Sequence, residues 1–206
     1  MKVFCDIDGV LTDFPRAYNE RYNLSIPLEQ FNEDQFPQAV GKDARQIDAE
    51  LDFDFWSNLP WMPHGRRFLE LLESLFGAEH ICLLSFPSYS PDGPRGKIEW
   101  VRRELPQYEM RLILAMDKRF CDSPDVILFD DKPRNVAEFR EAGGQAVLVP
   151  APWNQPSFDT DVTMQQFMEV LIRSLERAPL SFVNSHLSIG NEPGDRHVQK
   201  KQRDQR

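Results

Sequence analysis

The chain has 206 residues and a formal net charge of −9, from 33 acidic and 24 basic side chains. This acidic balance argues against bulk nucleic-acid binding, because neutralising a phosphate backbone takes clustered cations. The cysteines at positions 5, 82 and 121 form no C-x-x-C pair, which indicates reduced thiols. There is no signal-peptide pattern and no apolar run of about 20 residues, so we expect a cytoplasmic protein with no membrane partner.

Short apolar runs alternate with helical periods along the chain. The predicted strands are KVFCDI (2–7), HICLLS (80–85), RLILA (111–115), DVILFDD (125–131) and QAVLVP (145–150). The predicted helices between and after them are RRFLELLESLF (66–76), KIEWVRREL (97–105), RNVAEFREAGG (134–144) and DVTMQQFMEVLIRSLE (161–176). This order predicts an α/β fold with a doubly wound, parallel, Rossmann-like sheet. Ligands of such sheets bind where the carboxyl ends of the strands meet.

Residues 14–63 interrupt the repeat and are rich in aromatic, acidic and proline residues. They contain helix-like stretches at 14–23 and 42–51, and we interpret them as a small helical cap inserted after the first strand. The core domain would then comprise residues 1–13 and 64–180. Asp13, just before a proline, is predicted to cap the first cap helix. Residues 181–206 are polar, and we expect them to be disordered.

Polar side chains stand at the carboxyl ends of several predicted strands and at the start of one following helix. They are Asp6, Asp8, Ser85, Lys97, Asp130 and Asp131. Carboxylates gathered at one point raise each other's pKa, and a hard divalent cation removes the repulsion. Mg²⁺ prefers such oxygen ligands. We therefore predict a Mg²⁺ site at this edge that includes Asp6, Asp8, Asp130 and Asp131.

The same residue types fit phosphoryl transfer. Asp6 is predicted to be a nucleophile that forms an aspartyl-phosphate, and Asp8 a general acid and base. Gly9 would let the backbone turn sharply beside the phosphate. Ser85 and Lys97 would hold the non-bridging phosphate oxygens, since positioning and charge neutralisation supply most of the rate in this chemistry.

In order along residues 2–150, DIDGV, LLS ending at Ser85, Lys97 and LFDD resemble the four motifs of the haloacid dehalogenase (HAD) superfamily of phosphohydrolases. The resemblance implies that Asp6 is the nucleophile and Asp8 the acid/base. It also implies that Asp8 ligates the metal through its backbone carbonyl. Asp131 would be a direct Mg²⁺ ligand, with Asp130 beside it.

Longer stretches of the sequence indicate which family within this superfamily the chain resembles. DIDGVLTDF, the FW pair before NLPWMPHG, GKIEWV, FDDKPRNV and VPAPWN are similar to the 5′(3′)-deoxyribonucleotidases of the cytosolic C type and their bacterial and phage relatives. This implies a small helical cap and Mg²⁺-dependent dephosphorylation of nucleoside monophosphates. By position, Phe55 and Trp56 would pack on the nucleobase. Where the family reads Thr-Ser-Pro, this chain has Ser85-Phe86-Pro87, so Phe86 replaces a phosphate donor and would reshape the substrate pocket.

Several alternatives stay open at this point. Phe55 and Trp56 are equally compatible with the core of the cap. The same chemistry would suit another small phosphate ester, such as a sugar phosphate, or a polynucleotide end. A non-catalytic nucleotide-binding module on this fold is a third hypothesis. The base and sugar preference and a homodimeric state are left open by the sequence.

Overall fold

The computed structural model describes residues 1–155 and 158–177, so the predicted disordered tail at 181–206 lies outside the described residues. At its centre is a sheet whose neighbouring strands are all parallel, in the order β3-β2-β1-β4-β5. The strands are β1 (Lys2–Cys5), β2 (Ile81–Ser85), β3 (Leu112–Leu114), β4 (Val126–Asp130) and β5 (Gln145–Leu148). The predicted α/β fold with a parallel sheet is confirmed.

Eight α-helices surround or follow the strands within the described residues. They are α1 (Phe14–Tyr22), α2 (Gln35–Val40), α3 (Ala44–Ala49), α4 (Phe53–Ser57), α5 (Gly65–Phe76), α6 (Asp92–Glu104), α7 (Pro133–Glu141) and α8 (Thr160–Arg177). The first four lie in the segment predicted to be a cap. Asp13 caps α1 as predicted, since its side chain accepts a hydrogen bond of 3.0 Å from the Arg16 backbone N–H. None of the helices described is both long and apolar enough to cross a membrane.

Helix α6 begins at Asp92, earlier than the periodicity of the sequence predicts. Its first turns contain Pro94 and Gly96, residues that disfavour the interior of a helix. Proline is tolerated in a first turn, where the backbone N–H has no intrahelical partner. Gly96 lets α6 approach α4, because a Cβ there would lie 2.3 Å from the Trp56 Cβ. The close contact between these two helices fixes the cap segment to the helix that carries Lys97.

The inner strands are buried on both faces of the sheet, which explains their unbroken apolar runs. Val3, Leu83 and Ile127 have no exposed surface. Helix α5 covers one face through Phe68, whose ring lies 5.8 Å from that of Phe129 on β4. Burial of each such side chain contributes about 1.5–3 kcal/mol. The strand ends that carry the polar residues are therefore held in place by a well-packed, buried core.

Candidate active site

The carboxyl ends of β1 and β4 place four aspartates at one edge of the sheet. These strands are neighbours, with Cys5 opposite Phe129, and the Asp6 N–H donates to the Phe129 carbonyl at 2.9 Å. Asp6 and Asp8 follow β1, whereas β4 ends at Asp130 and is followed by Asp131. Parallel pairing thus brings together carboxylates that are far apart in the sequence.

Asp6, Asp130 and Asp131 form a buried cluster in which one carboxylate oxygen of each residue lies within 4.8 Å of the other two. They are 4%, 0% and 2% exposed. Burial and the neighbouring carboxylates raise the pKa of Asp131 well above its usual value. Burial likewise raises the pKa of Asp6 to about 6, although the Lys118 ammonium opposes this. The cluster therefore favours a bound cation or bound protons.

Lys118, which the sequence analysis did not single out, supplies one positive charge to this cluster. Its Nζ lies 2.9 Å from Asp6 Oδ1 and 2.6 Å from Asp130 Oδ2, and its side chain is 7% exposed. Burial would lower the pKa of Lys118, but Asp130 and Asp6 outweigh it and raise that pKa. The residue begins the 3₁₀ turn Lys118–Cys121, just after β3. A search for polar side chains after the third predicted strand would have found it.

The hydrogen bonds of the two consecutive aspartates differ, and the difference tests whether a metal ion fits. Asp130 accepts from Lys118, from the Lys132 backbone N–H at 2.8 Å, and from Asn135 Nδ2 at 3.0 and 3.1 Å. Asp131 Oδ1 is buried and has no hydrogen-bond partner among the described residues. A buried anionic oxygen without a partner is costly. The oxygen donors here fit a hard divalent cation such as Mg²⁺.

Asp8, Ser85 and Lys97 form a second polar group beside the cluster. The buried Lys97 ammonium contacts Asp8 Oδ2, Ser85 Oγ at 3.1 Å and the Phe86 carbonyl at 2.6 Å. Burial would raise the pKa of Asp8, but Lys97 outweighs it and holds that pKa below its ordinary value. Thr12 Oγ1 also donates to Asp8 Oδ1, at 3.2 Å. Asp8 is therefore ionised and paired in this arrangement, and its carboxylate lies outside the buried cluster.

A cleft of about 550 Å³ opens above the strand ends, a size typical of small-molecule sites. Its aromatic lining comes from the cap segment and from the loops after β2 and β5: Phe14, Phe31, Phe36, Trp56, Phe86, Tyr89 and Trp153. Its basic lining consists of Lys97, Lys118, Arg119, Lys132 and Arg134. The cleft thus combines apolar surface with local positive charge on an acidic protein.

The residues predicted to contact a nucleobase do not all lie at this cleft. Trp56 and Phe86 line it, and the Lys97 Nζ lies 4.7 Å from the centre of the Trp56 ring. Phe55 is buried inside the cap segment instead, with its ring edge-on to Phe14 at 5.6 Å. Phe14, which the sequence analysis did not select, lines the cleft.

Comparisons with known proteins bear on this site. The sequence model of the family described as 5′ nucleotidase, deoxy (Pyrimidine), cytosolic type C protein matches residues 1–170. No curated protein matches the sequence.

Similar solved structures are hydrolases of low identity. A HAD family enzyme from Bacteroides thetaiotaomicron, solved in complex with magnesium and inorganic phosphate, is 16% identical, and the match covers 79% of this chain and 98% of that one with a TM-score of 0.39. A hydrolase from Pseudomonas syringae is 13% identical over 86% and 99% of the two chains, with a TM-score of 0.44. A HAD-superfamily hydrolase from Ehrlichia chaffeensis is 15% identical over 83% and 97%, with a TM-score of 0.42.

Proposed function

Since the chain belongs to the family of cytosolic type C 5′-nucleotidases, it is a phosphoric monoester hydrolase, and we propose that it hydrolyses (deoxy)nucleoside monophosphates with Mg²⁺ as cofactor. The observation that carries the proposal is the buried cluster of Asp6, Asp130 and Asp131 beside an aromatic cleft. The cluster offers a nucleophile and metal ligands, and the cleft offers room and stacking surface for a nucleoside.

Asp6 is the proposed nucleophile. Its Oδ1 accepts from the Ile7 backbone N–H at 2.8 Å and contacts Lys118, which leaves Oδ2 as the attacking oxygen. A bond forms between Asp6 Oδ2 and phosphorus while the bond from phosphorus to the ester oxygen breaks. Water then attacks the aspartyl-phosphate, so that inorganic phosphate leaves and the Asp6 carboxylate is restored. Lys118 stabilises the carboxylate form of Asp6 between turnovers.

Asp8 is the proposed acid and base. In the first step it gives a proton to the leaving ester oxygen, and in the second it takes one from the attacking water. Its present ion pair with Lys97 keeps it ionised, the form needed in the second step. We propose that a phosphate in the cleft draws the Lys97 ammonium and the Ser85 hydroxyl away from Asp8. Loss of that ion pair would raise the pKa of Asp8 and let it carry the proton of the first step.

Asp6, Asp131 and the Asp8 backbone carbonyl would hold Mg²⁺, with Asp130 beside them. When bound, Mg²⁺ supplies the positive charge that offsets the carboxylates and the phosphate oxygens. Lys118 and Asn135 occupy both oxygens of Asp130, so this residue would orient the others rather than bind the ion directly.

We propose that residues 14–63 act as the cap over the nucleoside, with Trp56 and Phe86 against the base. Stacking of a base on an aromatic ring contributes about 1–3 kcal/mol. Phe55 would support the cap from inside. We also place the protein in the cytosol, consistent with its three free thiols.

The test is phosphate release from a panel of nucleoside monophosphates, sugar phosphates and 5′- or 3′-phosphorylated oligonucleotides, with Mg²⁺ or with a chelator. We expect the highest kcat/KM for a nucleoside monophosphate and no turnover in the chelator. A higher value for a sugar phosphate or an oligonucleotide end would replace the proposed substrate. Nucleotide binding without any hydrolysis would favour the non-catalytic module.

The Asp6→Asn variant tests the mechanism, because it removes the nucleophile while keeping the shape of the side chain. We expect kcat to fall by about a thousandfold or more. Asp54→Asn, on the exposed face of α4, is the control and should turn over like the parent chain. A fully active Asp6→Asn variant would exclude the aspartyl-phosphate route.

A further inference from the structure

The loop after β5 carries two side chains, Trp153 and Asn154, that donate hydrogen bonds to Asp131. The Trp153 indole Nε1–H donates to Asp131 Oδ2 at 2.6 Å. Asn154 Nδ2 donates to the Asp131 backbone carbonyl at 2.6 Å and to the Val149 carbonyl at 2.9 Å. Asn154 is itself fixed, since its Oδ1 accepts from the Ala151 N–H at 3.0 Å. One loop therefore donates hydrogen bonds to both the side chain and the main chain of this aspartate.

Gly9 approaches the same carboxylate closely. A Cβ at Gly9 would lie 2.4 Å from Asp131 Oδ2. Oδ2 thus has both the Gly9 backbone and the Trp153 indole as close neighbours, and these restrict its movement. Because the two oxygens of a carboxylate form a rigid plane, fixing Oδ2 also fixes Oδ1. Oδ1 is the buried oxygen that has no partner among the described residues.

We propose that Trp153 is a positioning residue for the divalent cation, and that its indole N–H aims Asp131 Oδ1 into the Asp6–Asp130–Asp131 cluster. Asn154 fixes the backbone from which Asp131 projects. This inference rests on the metal site of the proposed function and assigns a task to a loop that contributes no metal ligand itself. Mutating a partner that orients a ligating carboxylate in this way typically weakens metal affinity by about 10–100-fold.

The chemistry of the indole suits the task. Its N–H can only donate, carries no charge and does not titrate, so it cannot compete with Asp131 for the cation. The ring also lines the cleft. Phenylalanine keeps most of the ring and removes only the donor. Trp153→Phe therefore separates the hydrogen bond from the packing.

A matched control is available at Trp61. Its indole Nε1–H donates to Glu104 Oε2 at 2.9 Å, and Trp61 does not line the cleft. Trp61→Phe thus removes a hydrogen bond of the same kind at a carboxylate outside the cluster. We would prepare both variants and the parent chain free of metal, titrate them with Mn²⁺ without substrate, and measure binding by calorimetry and by the loss of the free-ion EPR signal.

We expect the Kd for Mn²⁺ to rise about tenfold or more in Trp153→Phe and to stay within about twofold of the parent value in Trp61→Phe. The unfolding midpoints of the two variants in chelator should be similar, and Trp153→Phe should recover its kcat at higher Mg²⁺. Asn154→Ala, which frees the main chain of Asp131, should also weaken binding and provides a second variant should Trp153→Phe fold poorly.

Two failures are distinguishable. If the parent chain binds Mn²⁺ and Trp153→Phe and Asn154→Ala bind it equally well, the positioning role is wrong while the metal site stands. If the parent chain binds no divalent cation, the metal site of the proposed function falls and the positioning role falls with it.

Discussion

At the scale of single residues, Gly9 has little freedom to change. Its φ angle is +84°, in the left-handed region, and the space for a Cβ is taken by the Asp131 carboxylate. Gly41 has a similar φ of +67°, but a Cβ there would meet nothing within 4 Å. The two glycines share the backbone requirement and differ in the neighbour.

Alanine substitutions at these positions separate strain from displacement. We expect Gly9→Ala and Gly41→Ala each to lose about 1–2 kcal/mol of unfolding free energy, from the left-handed backbone. Only Gly9→Ala should also push Asp131 aside, and its turnover at limiting Mg²⁺ should fall about tenfold or more. Urea denaturation and phosphate-release assays on both variants measure this. Equal turnover would mean that Asp131 tolerates the displacement.

His64, just before α5, is a buried residue outside the cleft, and neither ring nitrogen has a partner among the described residues. Burial lowers the pKa of His64 from 6.5 to about 4. The unfolded chain therefore binds the His64 proton at a higher pH than the folded protein does. His64 keeps the fold fully stable above pH 6.5 and removes stability as the pH falls toward 4.

Replacement by an apolar residue should remove this pH dependence. Between pH 7.5 and pH 5, we expect the parent chain to lose about 2 kcal/mol more unfolding free energy than His64→Leu does. The difference between the two chains isolates His64, because both retain the aspartate cluster. Urea denaturation at the two pH values measures it. His80→Leu, at a half-exposed histidine, is the control, and an identical pH response in the parent chain and His64→Leu would contradict the prediction.

At the scale of elements, α3 is joined to the loop after β2 by one carboxylate. Asp48 Oδ2 accepts from Ser88 Oγ at 2.8 Å and from the Tyr89 N–H at 2.7 Å. Ser88 has a φ of +81°, an uncommon value for a residue other than glycine. Since all three residues line the cleft, these bonds connect α3 of the cap segment to the loop after β2 at the cleft.

Removing the connection should weaken substrate binding more than chemistry. We expect Asp48→Ala to raise KM about fivefold, equivalent to about 1 kcal/mol, because the proposed cap would then be held less firmly over the proposed nucleoside substrate. Its kcat should change much less, since Asp48 lies outside the carboxylate cluster. Steady-state kinetics measure both constants, with Asp54→Ala on α4 as the control. A fall in kcat at constant KM would assign Asp48 a different role.

Elements with a regular period could be predicted from the sequence, and irregular ones could not. The five strands follow from apolar runs, and the convergence of Asp6 and Asp131 follows from parallel pairing alone. Helices α2 and α4, of 6 and 5 residues, are too short to show a helical period. The position of Lys118 after the predicted strand β3 marks it as a candidate, but it lies on an irregular turn and the sequence does not show that it contacts Asp6.

Contacts between residues that are distant in the sequence also could not be predicted from the sequence. Phe55 and Trp56 are adjacent aromatic residues, and the sequence does not say which of them faces the cleft. Consecutive side chains of helix α4 point in different directions, so Trp56 lines the cleft whereas Phe55 packs inside the cap segment. In the same way, a tryptophan in a loop gave no sign that its N–H would reach Asp131.

At the scale of the whole molecule, the buried carboxylates couple folding to metal and pH. In metal-free protein the pKa of Asp6 is raised from 3.8 to about 6, so this residue contributes stability at low pH that is lost as the pH rises through 6. A divalent cation replaces the protons and should restore the stability. Because cation and protons compete, the effect of the cation should grow as the pH rises.

We expect Mg²⁺ at about 100 times its Kd to raise the unfolding free energy by about 2.7 kcal/mol at pH 7.5, and by less at pH 5.5. Thermal unfolding with Mg²⁺ or with a chelator measures this, with KCl of equal ionic strength as the control. Asp131→Asn should abolish the Mg²⁺ response. A Mg²⁺ effect no larger than that of KCl would mean that the cluster does not bind the ion.

The sheet order has a consequence for biosynthesis. Strand β1, which is followed directly by the proposed nucleophile Asp6, precedes the other four strands in the chain but occupies the centre of the sheet, between β2 and β4. On the ribosome, Asp6 and Asp8 therefore emerge long before Asp131 and Trp153 leave the exit tunnel. A nascent chain halted before β4 would have the proposed nucleophile but not Asp131, so we expect phosphatase activity only once β4 and the loop after β5 have been made.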